Sequence, residues 1–168
     1  AGVALDAAYV FTPDDTTTRA TVVDGLVVAR RGATAATAPT GDVFVFGGVG
    51  ISGDFLSSVE RYDPTSGAFE VLPATLSEPR SHAMVAVLAN GAIAVVGGVS
   101  SASGAASRAV DVFDPSSGDL LASHLLQRAV AVTHGASWHA GEQRRHFAPS
   151  APLGIVFELV RPDPRDAE

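Results

Sequence analysis

Three arginines, Arg31, Arg80 and Arg128, recur along the chain 49 and 48 residues apart. A guanidinium presents a planar fork of donors that grips a carboxylate through two bonds, so a ring of them would hold an acidic peptide or another carboxylate-bearing ligand. The plainer reading is that each Arg belongs to a repeated pattern and pairs with nearby acids such as Glu78 or Asp54. Phe55, beside Asp54, completes the candidate ligand-binding set of Arg31, Arg80, Arg128, Asp54, Phe55 and Glu78.

One other cluster suggests chemistry. His134, His139, Glu142 and His146 follow the spacing H-x4-H-x2-E-x3-H. A zinc site needs three or four converging ligands with an ordered second shell, and this spacing matches no such motif. These histidines read as loop or surface residues, and no metal is assigned. His82 reads as a structural residue of the repeat described below. No G-x-S-x-G elbow is present, and no Ser-His-Asp set can be picked out by spacing. Asp14-Asp15 and Asp24-Gly25 lack the D-x-D-x-D-G pattern of a calcium loop. No catalytic residue and no cofactor follows from these patterns.

Composition narrows the classes further. The 168 residues are 46% hydrophobic and 17% charged, enough apolar material for a core and too little charge for a disordered chain. The net charge of −7 opposes nucleic acid and anionic lipid alike. All basic residues are arginine, which reads as a compositional bias rather than as chemistry. No apolar run reaches the roughly 20 residues of a membrane span. The absence of cysteine removes disulfides, thiolate nucleophiles and Cys-based metal sites. A first residue that is Ala1 and not Met is expected of a processed or excised chain. Export to a bacterial envelope or to the exterior is the corresponding expectation for location.

The elements that must position these residues come from an internal repeat. GDVFVFGGVG at Gly41–Gly50 returns as GAIAVVGGVS at Gly91–Ser100, placing Gly47-Gly48 and Gly97-Gly98 50 residues apart. Val59-Glu60-Arg61-Tyr62-Asp63-Pro64 returns as Val110-Asp111-Val112-Phe113-Asp114-Pro115, a shift of 51. Fainter copies end at Pro13 and Pro162. Each period parses into four short strands. In the clearest copy, His82–Leu88 and Ala92–Val96 flank an Asn90-Gly91 hairpin, and Ala109–Phe113 and Asp119–Ser123 flank the Asp114–Gly118 turn. The return strand is apolar on both faces and so predicted to be buried on both. The glycine pair that ends it fits a crowded point shared by equivalent sheets. No helix is predicted.

These residues resemble the Kelch repeat, the roughly 50-residue unit of Kelch-type β-propellers, and especially its bacterial variant. The resemblance rests on the double glycine after an apolar strand, the [Tyr/Phe]-Asp-Pro turn, Arg80 with His82, and Asn90-Gly91. It departs where the later aromatic, usually Trp, is Phe69 in one copy and Leu120 in the next. The stretch after Arg128 lacks the glycine pair.

The resemblance implies an all-β propeller of about three four-stranded antiparallel blades. They are a partial blade over 1–30, blades over 31–79 and 80–127, and a degenerate partial blade over 128–168. A closed ring takes about four to eight blades, and open edge strands invite aggregation. Closure by a second copy of the chain, or by further blades, is therefore expected. Strand direction puts the longer loops, Val49–Ser57, Val99–Ser107 and Pro73–Arg80, on one face and the tight turns on the other.

Kelch-type propellers commonly bind partners through such loops. The expected function is a non-catalytic module for a protein, peptide or glycan. The alternatives are a fragment of a carbohydrate-active propeller enzyme whose active site needs further blades or chains, and a structural subunit of a larger assembly. The copper oxidases built on this type of propeller use a Cys-linked Tyr, which this sequence cannot supply.

Overall fold

The computed structural model describes residues 2–13 and 18–125. Among them are ten strands and no helix: β1 Ala8–Pro13, β2 Thr18–Val23, β3 Thr34–Thr37, β4 Val43–Phe46, β5 Ser58–Asp63, β6 Ala68–Thr75, β7 Met84–Val87, β8 Ile93–Val96, β9 Ala109–Asp114 and β10 Asp119–Leu125. They form two four-stranded antiparallel sheets, β3-β4-β5-β6 and β7-β8-β9-β10, and the two-stranded sheet β1-β2. Each larger sheet runs up and down in chain order, as expected of propeller blades. No helix is long and apolar enough to cross a membrane among these residues.

The sequence period is also the pairing register. Val43 faces Tyr62 and Phe46 faces Val59 in the first blade, and Ile93 faces Phe113 and Val96 faces Val110 in the second. Turn chemistry fixes that register locally. Asn90 Oδ1 accepts from the Ala92 amide at 3.1 Å in the β7-β8 hairpin. The Gly67 and Gly118 amides close their turns on the Asp63 and Asp114 carbonyls, each at 2.8 Å.

The predicted strand His82–Leu88 is observed as Met84–Val87. His82 has φ 53°, in the left-handed region, so the extended chain cannot begin until after it.

The blades pack through their second and third strands. Phe44, Phe46, Val59, Ile93, Val95 and Phe113 are all buried, and the Phe46 and Phe113 rings meet across the blades at 5.2 Å. Burying each such side chain contributes about 1.5–3 kcal/mol. In β8, Ile93, Ala94 and Val95 are buried in succession, as the two-sided apolar reading required. The first strands β3 and β7 contact one another, and so do the last strands β6 and β10.

The first glycine pair sits where the two blades touch, and the second meets segments of its own blade among the described residues. Gly47 and Gly48 have φ 59° and 105°, and Gly97 and Gly98 have φ 62° and 104°. A Cβ on Gly47 would stand 2.3 Å from the Arg80 carbonyl oxygen, and one on Gly98 would stand 2.5 Å from that of Ser81. The Gly48 amide donates to the Arg80 carbonyl at 2.9 Å. The backbone conformation disfavours a side chain at all four, and the closeness of neighbouring backbone excludes one at Gly47, Gly48 and Gly98.

Candidate functional site

The long loops of the two blades are knitted into one surface. In the β4-β5 loop the Gly50 amide donates to the Asp54 carbonyl and the Leu56 amide to that of Gly48, each at 2.9 Å. The β8-β9 loop repeats this with Ser100 to Ala105 and Ser107 to Gly98. The β6-β7 segment ties the first loop down, through Leu76 to Ser57 at 2.8 Å and Arg80 to Leu56 at 3.1 Å. It reaches the second loop through the Glu78 carboxylate, which accepts from Ser107 Oγ. The three loops predicted to share a face are joined there, but the third is shorter than the predicted Pro73–Arg80, because Pro73, Ala74 and Thr75 belong to strand β6.

The structure separates the candidate residues. Asp54 is exposed at a loop tip and accepts from Ser52 Oγ at 2.7 Å, while Phe55 is half-buried behind it. Glu78 is half-buried. The Arg80 side chain is fully buried, with Nη2 on Asp111 Oδ2 at 2.8 Å and Val95 O at 3.3 Å, and Nη1 on Glu78 O at 3.3 Å. It is a core ion pair and presents nothing to a ligand. Its partner is the strand residue Asp111, not a loop acid; Glu78 contributes only its carbonyl.

Arg31 is not the counterpart of Arg80. That place belongs to Arg30, which lies 50 residues earlier, as Gly47 does from Gly97. Arg30 is buried against Glu60 and donates to Gly47 O at 2.9 Å, Ser58 O at 3.2 Å and Val28 O at 3.1 Å. Arg31 pairs its backbone with Val49, as Ser81 does with Val99, and is half-buried. Arg128, His134, His139, Glu142 and His146 lie outside the described residues. No group of three or more metal-ligating side chains occurs among the described residues.

Sequence reasoning missed Arg30, Glu60 and Asp111 as a functional pattern of the fold. The two acids stand at equal places, four residues before Pro64 and Pro115. Glu60 accepts from the Val27 and Val28 amides at 2.7 and 3.0 Å, and Asp111 from the Ser77 amide at 2.9 Å. Each pair therefore clamps the segment leading into its own blade to that blade's third strand.

The opposite face carries the tight turns. Hydrogen bonding from the Thr65 amide holds the Asp63 carboxyl below its ordinary value, and the Ser116 hydroxyl does the same for Asp114. A shallow hollow of about 300 Å³ lies there between the turns of the two blades, against Pro39, Thr40, Asn90, Asp114 and Pro115.

Residues 30–74 match the family described as the Kelch motif. No curated protein matches the chain. Among solved structures, YjhT is similar with a TM-score of 0.63 and 18% identity over 73% of this chain and 45% of YjhT. A fungal alcohol oxidase of the AA5 family, in complex with copper, is similar with a TM-score of 0.50 and 22% identity. That match covers 59% of this chain and 22% of the oxidase. The chain thus spans less than half the length of either structure. With its four-stranded blades in register with its 50-residue period, it carries a Kelch motif and has the all-β fold of a Kelch-type propeller.

Proposed function

We propose that the chain is a non-catalytic binding module that presents the loops of one propeller face to a protein, peptide or glycan. The observation that carries this reading is the joining of three loops, 47–57, 76–83 and 97–108, by backbone hydrogen bonds and the Ser107–Glu78 contact. Loops held in this way lose little freedom on binding, which lowers the entropy cost of association. The buried arginines serve the scaffold, so recognition falls to exposed groups such as Ile51 and Asp54.

The test applies the chain to arrays of glycans and displayed peptides, beside an Ile51→Asp/Asp54→Ala variant of unchanged circular dichroism. A defined set of ligands lost in the variant supports the reading. Binding that ignores these changes, or no binding at all, removes it.

The second reading, a fragment of a propeller enzyme, is favoured by the fold shared with the fungal oxidase. Turnover of simple sugars by a longer protein that holds these blades with the rest of the ring, and loss of that turnover when these blades are removed, would replace the first reading with this one. Light scattering at several concentrations decides association: a stable mass of twice 17.1 kDa supports ring closure by two copies, and a monomer removes it.

A further inference from the structure

His82 is the one residue other than glycine with positive φ among the described residues, at 53°. Its repeat counterpart is Gly32, with φ 62°. The position therefore demands a left-handed backbone, which glycine adopts freely and a residue with a Cβ does not. Strain of this kind, where an easier residue is available, points toward a use for the side chain.

The use follows from how the ring is held. His82 is exposed, and its amide donates to the Gly32 carbonyl at 2.8 Å. The imidazole lies over Gly32, where a Cβ would come within 2.6 Å of Cε1. His82 Nδ1 is 3.0 Å from Ser81 Oγ. Ser81 is 3% exposed, and its hydroxyl has no other hydrogen-bond partner among the described residues. A buried hydroxyl donates to an acceptor where one is in reach. Taking Nδ1 as that acceptor puts the ring proton on Nε2.

We infer that His82 is a ligand-contact residue that offers an Nε2–H donor on the loop face, just ahead of the first strand of its blade, to an acceptor oxygen of a carbonyl or carboxylate. This rests on the loop-face reading and names one donor within it. Ser81 acts as a positioning residue.

The experiment uses side-chain ¹H–¹⁵N spectra of the full chain at neutral pH, then titration with acetate and separately with N-methylacetamide. His82 is expected as the Nε2–H tautomer, and Ser81→Ala is expected to give a mixture of tautomers. The Nδ1–H form in the parent chain, or no effect of Ser81→Ala, overturns the inference. Either probe is expected to move the His82 Cε1–H signal with the Gly32 and Ser81 amides. A stronger response to acetate identifies a carboxylate, and a stronger response to the amide identifies a neutral carbonyl.

His82→Gly should abolish that response with an unchanged or higher melting temperature, since Gly32 already holds this backbone. A lower melting temperature would mark His82 as a packing residue only. Responses confined to the loop tips would keep the loop-face reading and sink this one. No response at all overturns the inference as well.

Discussion

The two complete blades hold the same buried clamp with side chains that differ by one methylene. In the first, Glu60 spreads its two oxygens over the Val27 amide, the Val28 amide and Arg30, while Arg30 Nε donates to the Val28 carbonyl. In the second, the shorter Asp111 gathers the Ser77 amide, the Ser77 hydroxyl and Arg80 on Oδ2 alone. Asp111 Oδ1 and Arg80 Nε are buried without hydrogen-bond partners among the described residues. A buried unpaired polar atom costs about 1–3 kcal/mol. The two sheets therefore share a topology but differ in how completely their polar cores are satisfied, and the second is the weaker clamp.

The largest test removes an acid outright. Glu60→Leu leaves Arg30 buried without its counter-charge and frees two backbone donors, and a loss of about 3–5 kcal/mol is expected in chemical denaturation. Asp111→Leu strands Arg80 in the same way but frees one backbone amide where Glu60→Leu frees two, its third donor being the hydroxyl of the exposed Ser77, so its loss should be the smaller of the two. Equal losses would mean that the second backbone amide held by Glu60 contributes nothing beyond the Ser77 hydroxyl held by Asp111.

The glycine pairs give the next contrast. Gly47 and Gly97 have nearly the same φ, 59° and 62°. Alanine at either should cost about 1–2 kcal/mol for the backbone alone. At Gly47 the added Cβ also meets the Arg80 carbonyl at 2.3 Å, whereas at Gly97 the nearest atom is the Ser107 carbonyl oxygen at 3.6 Å. Gly47→Ala is therefore expected to lose about 3 kcal/mol or more, and Gly97→Ala to stay near the lower figure. Melting temperatures of the two variants check the order.

Exchanging the acids sharpens the comparison, because the expected signs differ. Glu60→Asp should orphan one of the Val27 and Val28 amides, at about 1–3 kcal/mol. Asp111→Glu supplies the missing methylene and should gain about 1 kcal/mol. A loss in both would mean that the second blade has closed around the shorter side chain.

Much of this architecture was legible because its signals are local. The Asn90-Gly91 and Asp-Pro turns announce themselves within a few residues, and the apolar run Ile93–Val96 reads as a strand buried on both faces. The clamp was not legible. Arg30 and Glu60 are 30 residues apart and Arg80 and Asp111 are 31 apart, and nothing local marks an acid on a strand as the partner of a distant loop arginine. The adjacent Arg30-Arg31 hid the register, since spacing to Arg128 fits one nearly as well as the other. Only the strand pairing decides, by setting Arg31 beside Val49 and Ser81 beside Val99. His82 was read as a routine member of the repeat because a backbone dihedral leaves no mark in composition.

The smallest effect belongs to the turns, where the blades are alike. Asp63 accepts from the Thr65 amide at 2.7 Å, and Asp114 from the Ser116 amide and hydroxyl at 2.8 and 2.6 Å. These bonds favour the carboxylate, so both groups titrate below the ordinary 3.8. A carboxyl lowered on folding adds stability that is fully present above its unfolded value and is lost as pH falls through its folded one. Asp63→Asn and Asp114→Asn keep an acceptor at each turn but remove the titration. Melting temperatures followed from pH 6 down to about pH 2 should fall less steeply in the double variant than in the parent chain. The Thr65 amide leads for Asp63, with help from the Ser66 and Thr65 hydroxyls, and the Ser116 hydroxyl leads for Asp114, so Asp63→Asn and Asp114→Asn should each flatten the profile. A double variant whose profile is as steep as the parent's would show that these turn bonds add nothing in solution.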